Sequence, residues 1–580
     1  MWNRDDLIEA LISGRPRIAN RCIIEGMKPL FVYALALCLG LGQALAQQGL
    51  RGTIETPELD YAPGQVLVKF RDGITPLQRE WARQVAGAQL VRRGEYFDYE
   101  LWQFSPYADM RVVAAQLRQS GWFEAAEPNW RVYLADSWTP NDPLYPQQPA
   151  LPFIRAPQAW ALWRGDDRFI MAILDTGVRL DHLDLQPRLL PGYDFGGDAS
   201  GVRDDDPSDP FGHGTFVTGI AGAATNNSRG VAAVAPKGKI LPVKVFRDDG
   251  TGWLNDMLDG IGYAVTQGAH AINLSLGSRN YAPAWDLVRD ALISAWNAGV
   301  VVVAAAGNEN NMNPFYPAWY PVCIAVAACN LDGTRSSVST YGNWVDVAAP
   351  SGDVYSTTRD GVNTYGRNRG GFTSYAAPFV TAQAALLYAL VADGPTDRSV
   401  ARAQAVRELI ESTATPVNYV AHGIINLQAS VEKALTVPVR GRVQIQSYAG
   451  SYNGRTVEVV LRPQGDGNAL VTQSGTLNAA GDFSVSFFNY LGYYDLAIRA
   501  QGTLLKRVPN ARMRYPGVSG LNLTLIPGDV NGDNRIDDAD LLQVLFNFGQ
   551  NNPSIDLNGD GRVDDADLLI VLFNFGMVGD

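Results

Sequence analysis

Three short motifs supply a carboxylate, an imidazole and a hydroxyl in positions from which they could act together. Asp175-Thr176-Gly177 follows the apolar run Phe169–Leu174, Gly212-His213-Gly214-Thr215 opens a helical stretch, and Thr373-Ser374-Tyr375-Ala376-Ala377-Pro378 opens another. A serine hydroxyl is a poor nucleophile until a neighbouring imidazole takes its proton. The imidazole in turn needs a carboxylate to fix its tautomer and stabilise its charged form. A serine at a helix N-terminus also meets the positive end of the helix dipole, which favours a developing oxyanion. Such a trio supports attack on a carbonyl carbon through a covalent acyl intermediate.

A second kind of chemistry lies near the end of the chain. Asp529-Val530-Asn531-Gly532-Asp533-Asn534-Arg535-Ile536-Asp537-Asp538-Ala539-Asp540 puts oxygen ligands at Asp529, Asn531, Asp533, Asp537 and Asp540. The pattern recurs at Asp556, Asn558, Asp560, Asp564 and Asp567, and each loop precedes an apolar helix, Leu541–Phe548 or Leu568–Phe575. Hard oxygens at positions one, three, five, nine and twelve, with a backbone carbonyl at seven, wrap Ca2+ as in an EF-hand. Two such units are expected to bury their helices against each other.

These groups need elements to hold them. From Ile154 to about Leu435, short β-branched runs (Phe169–Leu174, Lys239–Val245, Ala271–Leu274, Val300–Ala305, Val322–Ala328) alternate with helical stretches (His213–Thr225, Leu254–Gln267, Ala284–Ala298, Ser374–Val391). That alternation predicts an α/β fold, a parallel sheet with helices on both faces and sites at the carboxyl ends of the strands. Before it, 47–137 reads as a small α+β domain. After it, 436–526 reads as a β-sandwich of alternating strands broken by Gly and Asn turns, and 527–580 holds the acidic repeat.

At 580 residues the chain is too long for one core, and 46% hydrophobic with 18% charged residues is ordinary globular material. The formal charge of −12 argues against nucleic acid as a partner. Pro29–Leu41, preceded by Met27-Lys28 and followed by Ala44-Leu45-Ala46, reads as a secretory signal within a leader over 1–46, with Met27 as an alternative start. The run is too short for a membrane span, and no span is expected in the mature protein. Two of the four cysteines, Cys22 and Cys38, lie in that leader. Cys323 and Cys329 bracket a strand and would sit roughly 20 Å apart at about 3.3 Å per residue, too far to pair.

With these residues in view, the sequence resembles the subtilisin-like serine proteases. Beyond the three motifs, the resemblance runs through Gly230-Val231-Ala232-Ala233-Val234-Ala235-Pro236, Leu274-Ser275-Leu276-Gly277, Ala306-Gly307-Asn308 and Asp346-Val347-Ala348-Ala349-Pro350, covering about 142–435. It implies a secreted endopeptidase acting on polypeptides, with Ser374 as nucleophile, His213 as general base then acid, and Asp175 as its orienting carboxylate. It implies further that Asn308 donates to the oxyanion together with the Ser374 backbone N–H. Ser275, Leu276, Gly277, Ala305, Ala306 and Gly307 would line the primary specificity pocket and pair with extended substrate. Asn226-Asn227-Ser228-Arg229-Gly230 resembles the family's calcium loop, which implies Asn227, Asp184 and Asp142 as side-chain ligands. Asp204–Asp209 is read as a solvated turn or a weak calcium site. The domain before residue 138 resembles the family's inhibitory propeptide, with Ala126–Trp130 as its last strand.

The match has departures. Phe372 stands where the family has Gly, Tyr375 where it has Met, and Phe216 and Phe379 where it has His. An inactive, binding-only scaffold is the competing reading. His182, His270 and His422 are read as packing or surface residues. The H-E-x-x-H spacing of zinc proteases and the G-x-S-x-G elbow of lipases are absent. Asp at the twelfth loop position and the repeated Asn-Phe-Gly resemble a type I dockerin, which implies a cohesin-type scaffold partner.

Overall fold

The computed structural model describes residues 61–94, 97–105, 109–130, 137–198, 201–278, 286–465 and 467–580. The leader and the start of the following domain lie outside these. The chain divides into two compact units, 1–134 with 465–471, and 135–464 with 472–580.

In the first unit, strands β1 (Tyr61–Phe70), β2 (Gln89–Arg93), β3 (Glu100–Gln103) and β4 (Phe123–Trp130) form an antiparallel sheet in the order β2-β3-β1-β4. Helices α1 (Pro76–Val85) and α2 (Met110–Gln119) accompany it. Val66, Val68 and Phe70 alternate inward from β1 onto Trp102, Met110 and Phe123. Thr75 caps α1 through a reciprocal box with Gln78.

The second unit is built on strands β5 (Ile170–Asp175), β6 (Tyr193–Asp194), β7 (Lys239–Lys244), β8 (Ala271–Leu274), β9 (Val301–Ala305), β10 (Cys323–Cys329) and β11 (Val347–Pro350). A hairpin of β12 (Val354–Thr357) and β13 (Tyr365–Asn368) follows, and then β14 (Gly423–Ile424). All but the hairpin join one parallel sheet, ordered β14-β11-β10-β9-β8-β5-β7-β6. Because helices cover both faces, each strand is apolar on both sides. Met171 and Ile173 of β5 face one helical layer, while Ala172 and Leu174 face the other. The first layer is centred on α3 (His213–Gly222) and receives α6, α7 and α8 described next, whereas α4 (Leu254–Thr266) and α5 (Asp286–Asn297) cover the opposite face. Helix α6 is Thr373–Val391, α7 Val400–Ser412 and α8 Leu427–Leu435. By length and composition α6 could cross a membrane, but its apolar window is 89% buried, as befits a core helix. The chain leaves β5 for one side of the sheet and later returns to the other, so the carboxyl end of β5 is a switch point where such sheets place their sites. Asp175 ends that strand.

Cys323 and Cys329 are the first and last residues of β10, buried and unpaired. Burial pushes both thiols well up, so neither is a ready nucleophile.

Helix α8 runs directly into β15 (Thr436–Ile445). This strand and six more, β16 (Thr456–Arg462), β17 (Val471–Thr476), β18 (Asp482–Phe488), β19 (Gly492–Ala500), β20 (Lys506–Met513) and β21 (Val518–Leu525), form sheets ordered β18-β15-β21 and β17-β16-β19-β20. Arg512 and Arg514 of this domain grip Asp393, and Arg514 Nη1 donates to the Leu390 carbonyl at the end of α6.

Helices α9 (Asp538–Phe546) and α10 (Asp565–Phe573) follow the two acidic loops. As expected, the two helices meet in one core, but only along one face of each. Only Val544 and Val571 of the two helices are fully buried among apolar neighbours, in a small core with Ile536, Ile555, Leu557, Val563 and Leu504 of the sandwich. Leu542, Leu545 and Phe546 of α9, and their repeats Leu569, Leu572 and Phe573 of α10, face solvent, with the two phenylalanines 77% and 81% exposed. The loops do much of the remaining packing. Ala449 N–H donates to the Asn558 carbonyl, and Arg499 Nη1 donates to the Gly532 carbonyl.

Candidate active site

Asp175 is buried at the end of β5, where its Oδ1 accepts from Thr176 N at 2.8 Å and lies 2.7 Å from His213 Nδ1. Its Oδ2 is buried without a hydrogen-bond partner among the described residues, a rarity for which a catalytic role is one physical explanation. His213 is the first residue of α3. Gly214 behind it must be glycine for a local reason: a Cβ there would lie 2.1 Å from the Gly177 carbonyl oxygen. Burial acts to lower the His213 pKa, but the charge and hydrogen bond of Asp175, with a further contribution from Asp209, outweigh it and leave the imidazole raised.

Asp209 is a residue that sequence reading placed wrongly. Its Oδ1 accepts from Thr176 Oγ1, Phe211 N and Gly212 N, and its Oδ2 from Thr215 N and Thr215 Oγ1, all at 2.6–3.1 Å. This buried carboxylate ties the loop after Asp175 to the first turn of the His213 helix. Asp204 and Asp206, by contrast, are exposed turn caps. The Asp-Pro-Phe-Gly-His spacing was visible, but nothing local distinguished Asp209 from its acidic neighbours.

Ser374 sits in the first turn of α6, half exposed, and its carbonyl accepts from Ser275 Oγ at 2.7 Å. The next residue, Tyr375, lays its ring against His213 with centroids 5.3 Å apart, and against Phe216 at 5.0 Å. Phe372 completes the group 6.5 Å from Tyr375, in extended backbone before the helix. Three of the four departures from the family pattern are therefore one aromatic cluster around the imidazole. The fourth, Phe379, is a buried core residue.

Asn308 is exposed beside this helix start. Its Oδ1 accepts from Thr373 N at 2.8 Å and from Thr373 Oγ1 at 3.1 Å, which leaves the amide NH2 as the group available to a ligand. Thr373 was not singled out from sequence. Ser275, Leu276 and Gly277 leave the end of β8, and Ala305, Ala306 and Gly307 leave β9, so the two runs lie side by side.

Asp142, Asp184 and Asn227 are also brought together. Asp142 accepts from Asn226 N and Asn227 N, Asp184 Oδ2 from Val231 N, and Asn227 Nδ2 donates to Asp184 Oδ1 at 2.7 Å. Burial, with a contribution from the Asp142 charge, pushes Asp184 up to about 6. Two buried carboxylates and an amide, with no basic side chain hydrogen-bonded to them among the described residues, fit a hard divalent cation. In the repeat, Asp529, Asp540, Asp556 and Asp567 are buried, while Asn531, Asp533, Asp537, Asn558, Asp560 and Asp564 complete the rings nearer the surface. Asp537 and Asp540, like Asp564 and Asp567, form capping boxes, so the same carboxylates start each helix. Burial pushes Asp529 up to about 6, and Asp540 adds to the shift. Converging buried carboxylates fit the same ion.

The remaining histidines are structural or superficial. His182 lies within hydrogen-bond distance of the Thr364 carbonyl and accepts from Asp184 N; His270 accepts from Ile170 N and contacts the Pro395 carbonyl. His422 is at the surface, 3.6 Å from Glu411, which Arg407 already pairs with Asp346.

Comparison with known proteins identifies the family. Residues 166–444 match the subtilase family model and 51–129 match the fervidolysin N-terminal prodomain. The chain is 34% identical over 421 residues to a thermophilic serine proteinase of Bacillus sp. (strain AK1), covering 69% of this chain and 98% of that one. It is 42% identical over 300 residues to thermitase of Thermoactinomyces vulgaris, covering 51% of this chain and all of thermitase. The chain, with its α/β sheet and its N-terminal prodomain, belongs to the subtilase family of serine proteases.

Proposed function

We propose that this chain is a secreted, calcium-stabilised serine endopeptidase made as a proenzyme. The single observation that carries the reading is the 2.7 Å contact of His213 Nδ1 with a buried Asp175, beside the helix start that bears Ser374. In the proposed reaction, His213 Nε2 takes the Ser374 Oγ proton as that oxygen attacks the peptide carbonyl carbon. The electron pair of the C=O bond moves onto the oxygen, where Asn308 Nδ2–H and Ser374 N–H donate to it. The C–N bond then breaks as His213 returns the proton to the leaving amine, giving an acyl-enzyme and a free amino terminus. Water, deprotonated by His213, attacks the acyl carbon; the bond from that carbon to Ser374 Oγ then breaks as His213 returns the proton to Oγ, releasing the carboxylic acid and free Ser374. The protein's dipoles are fixed beforehand, so little reorganisation accompanies charge development.

Residues 47–137 are proposed to act as the inhibitory propeptide, with cleavage before the catalytic domain at 138–435. Asp142, Asp184 and Asn227 would hold one calcium, with carbonyls around Thr225, Arg229 and Val231. The loops at 529–540 and 556–567 would hold one each, stapling the terminal domain. The exposed, duplicated Leu/Leu/Phe faces of α9 and α10 support a protein partner of cohesin type for 527–580, as in a dockerin. Phe372 does not favour the inactive-scaffold reading, because its extended backbone leaves Ser374 in the first turn of a regular helix.

Parallel expression of wild type and Ser374→Ala with calcium tests the core of this. Wild type should lose a propeptide's mass, digest casein and bind a fluorophosphonate, while the variant does none of these. A folded wild type that stays full length and ignores the fluorophosphonate would sink the proposal.

A further inference from the structure

The slot between the two runs that leave β8 and β9 opens on the nucleophile. Ser275 Oγ donates to the Ser374 carbonyl on one side, and Gly307 N–H donates to Thr373 Oγ1 on the other, at 2.7 and 3.1 Å. A slot walled by glycine should admit a bulky side chain, yet here it already contains one. A Cβ added at Gly277 would lie 2.3 Å from Phe315 Cε1, and one added at Gly307 would lie 2.7 Å from Phe315 Cγ. The Phe315 ring is therefore wedged between the two glycines, one edge against each backbone.

The segment that carries the ring is fixed. Ser278 and Tyr316 exchange both backbone hydrogen bonds, at 2.8 and 3.1 Å, and the Phe315 carbonyl accepts from Trp319 N at 2.9 Å. Tyr316 and Ala318 are buried beside it. Phe315 itself is half-buried, with its ring turned into the slot rather than into the core.

We infer that Phe315 sets the size limit of the residue on the acyl side of the cleaved bond, so that Gly, Ala and Ser are accepted there and Leu, Phe and Tyr are refused. This rests on the reading of that slot as the primary specificity pocket. A phenyl ring between the walls takes up the volume a large side chain would need, and a larger substrate side chain can enter only by expelling it from a segment held by paired backbone. One methylene too many in an apolar pocket already costs about 10- to 200-fold in kcat/KM, and a benzyl group is several times larger.

The test uses the matured full-length product and succinyl-Ala-Ala-Pro-X p-nitroanilides with X = Ala, Leu or Phe. Rates are divided by the fraction of Ser374 labelled by a fluorophosphonate, so that only folded, active enzyme is counted. Wild type should favour Ala over Phe by at least about 10-fold, and Phe315→Gly should move that ratio toward Phe by at least about 30-fold, within the range such pockets show. Phe315→Ala carries the same comparison if the glycine variant yields no labelled enzyme. A wild type that cleaves after Phe as readily as after Ala, or variants that leave the ratio where it was, would overturn the inference while leaving the protease reading intact. A wild type whose Ser374 cannot be labelled would instead remove the protease reading on which it stands.

Discussion

Replacing Asp209 by Asn should damage catalysis without touching any residue of the proposed triad. The native carboxylate accepts from five donors, three on Oδ1 and two on Oδ2, and all five belong to the loop after Asp175 or to the approach and first turn of the His213 helix. An asparagine keeps one accepting oxygen and turns an NH2 toward the other set. At best it faces Thr215 N and Thr215 Oγ1 with a donor, so two polar groups lose their acceptor in a buried place. At about 1–3 kcal/mol for each such loss, the variant should be about 2–6 kcal/mol less stable. Urea unfolding of the variant in a Ser374→Ala background, where self-digestion is removed, measures this.

The same substitution has a second, independent signature. The Asp209 charge is among the groups that raise the His213 pKa, so removing it must lower that pKa. The reaction needs His213 neutral, and activity falls as pH drops through its pKa. The acid limb of kcat/KM should therefore move to lower pH in the variant, while kcat on the plateau falls about 10- to 100-fold if the helix start shifts by a fraction of an ångström. Asp209→Ala separates the causes: it shares the lost charge and the limb shift, but it presents no opposing donor. An acid limb that stays in place, with a stability change under about 0.5 kcal/mol as for an ordinary surface substitution, would refute the reasoning.

Asn308→Ala should lower kcat about 100- to 1,000-fold with KM little changed, since in the proposed mechanism the amide acts on charge that exists only in the transition state; steady-state kinetics on a peptide anilide decide this. Chelating calcium should shorten the half-life of activity at elevated temperature, and Asp184→Ala should reproduce much of that loss while responding less to the chelator. A wild type indifferent to chelation would contradict the assigned sites. Leu504→Asp places a charge where the sandwich side chain is only 3% exposed in the repeat's core, so limited proteolysis should release 527–580 from this variant and not from wild type.

The central sheet could be read from sequence because strands covered on both faces are continuous apolar runs, as in Ile170–Leu174 or Val301–Ala305. The rim could not. β6 and β14 are two residues each, and the burial of β17 never goes beyond alternate half-burial, so Val471–Thr476 carries no apolar pattern to find. The three candidate motifs were legible because a carboxylate, an imidazole and a hydroxyl each stand next to a strand or helix end. Asp209, Thr373 and Phe315 were not, because what each does depends on a partner brought from elsewhere in the fold. The repeat misled in the opposite direction: its apolar helices imply burial all round, but residues of the acidic loops and Leu504 supply much of the core, and Leu542, Leu545, Phe546 and their repeats remain outside.

The departures around the nucleophile show why single positions mislead. Taken separately, Phe372, Tyr375 and Phe216 each add bulk where the family pattern has something else, and each would count against activity. Their rings lie within 5.0–6.5 Å of one another in the pairs that matter, and Tyr375 in turn backs the His213 imidazole. Residues in one contact set are energetically coupled, so the cost of any one change depends on whether its neighbours changed with it. Here the aromatic at 375 fills the space beside the aromatic at 216, and the imidazole keeps its 2.7 Å contact with Asp175. Replacing Tyr375 alone by methionine should therefore lower kcat/KM on a peptide anilide more than the family pattern implies, because Phe216 would lose its ring partner and the imidazole the tilted ring beside it.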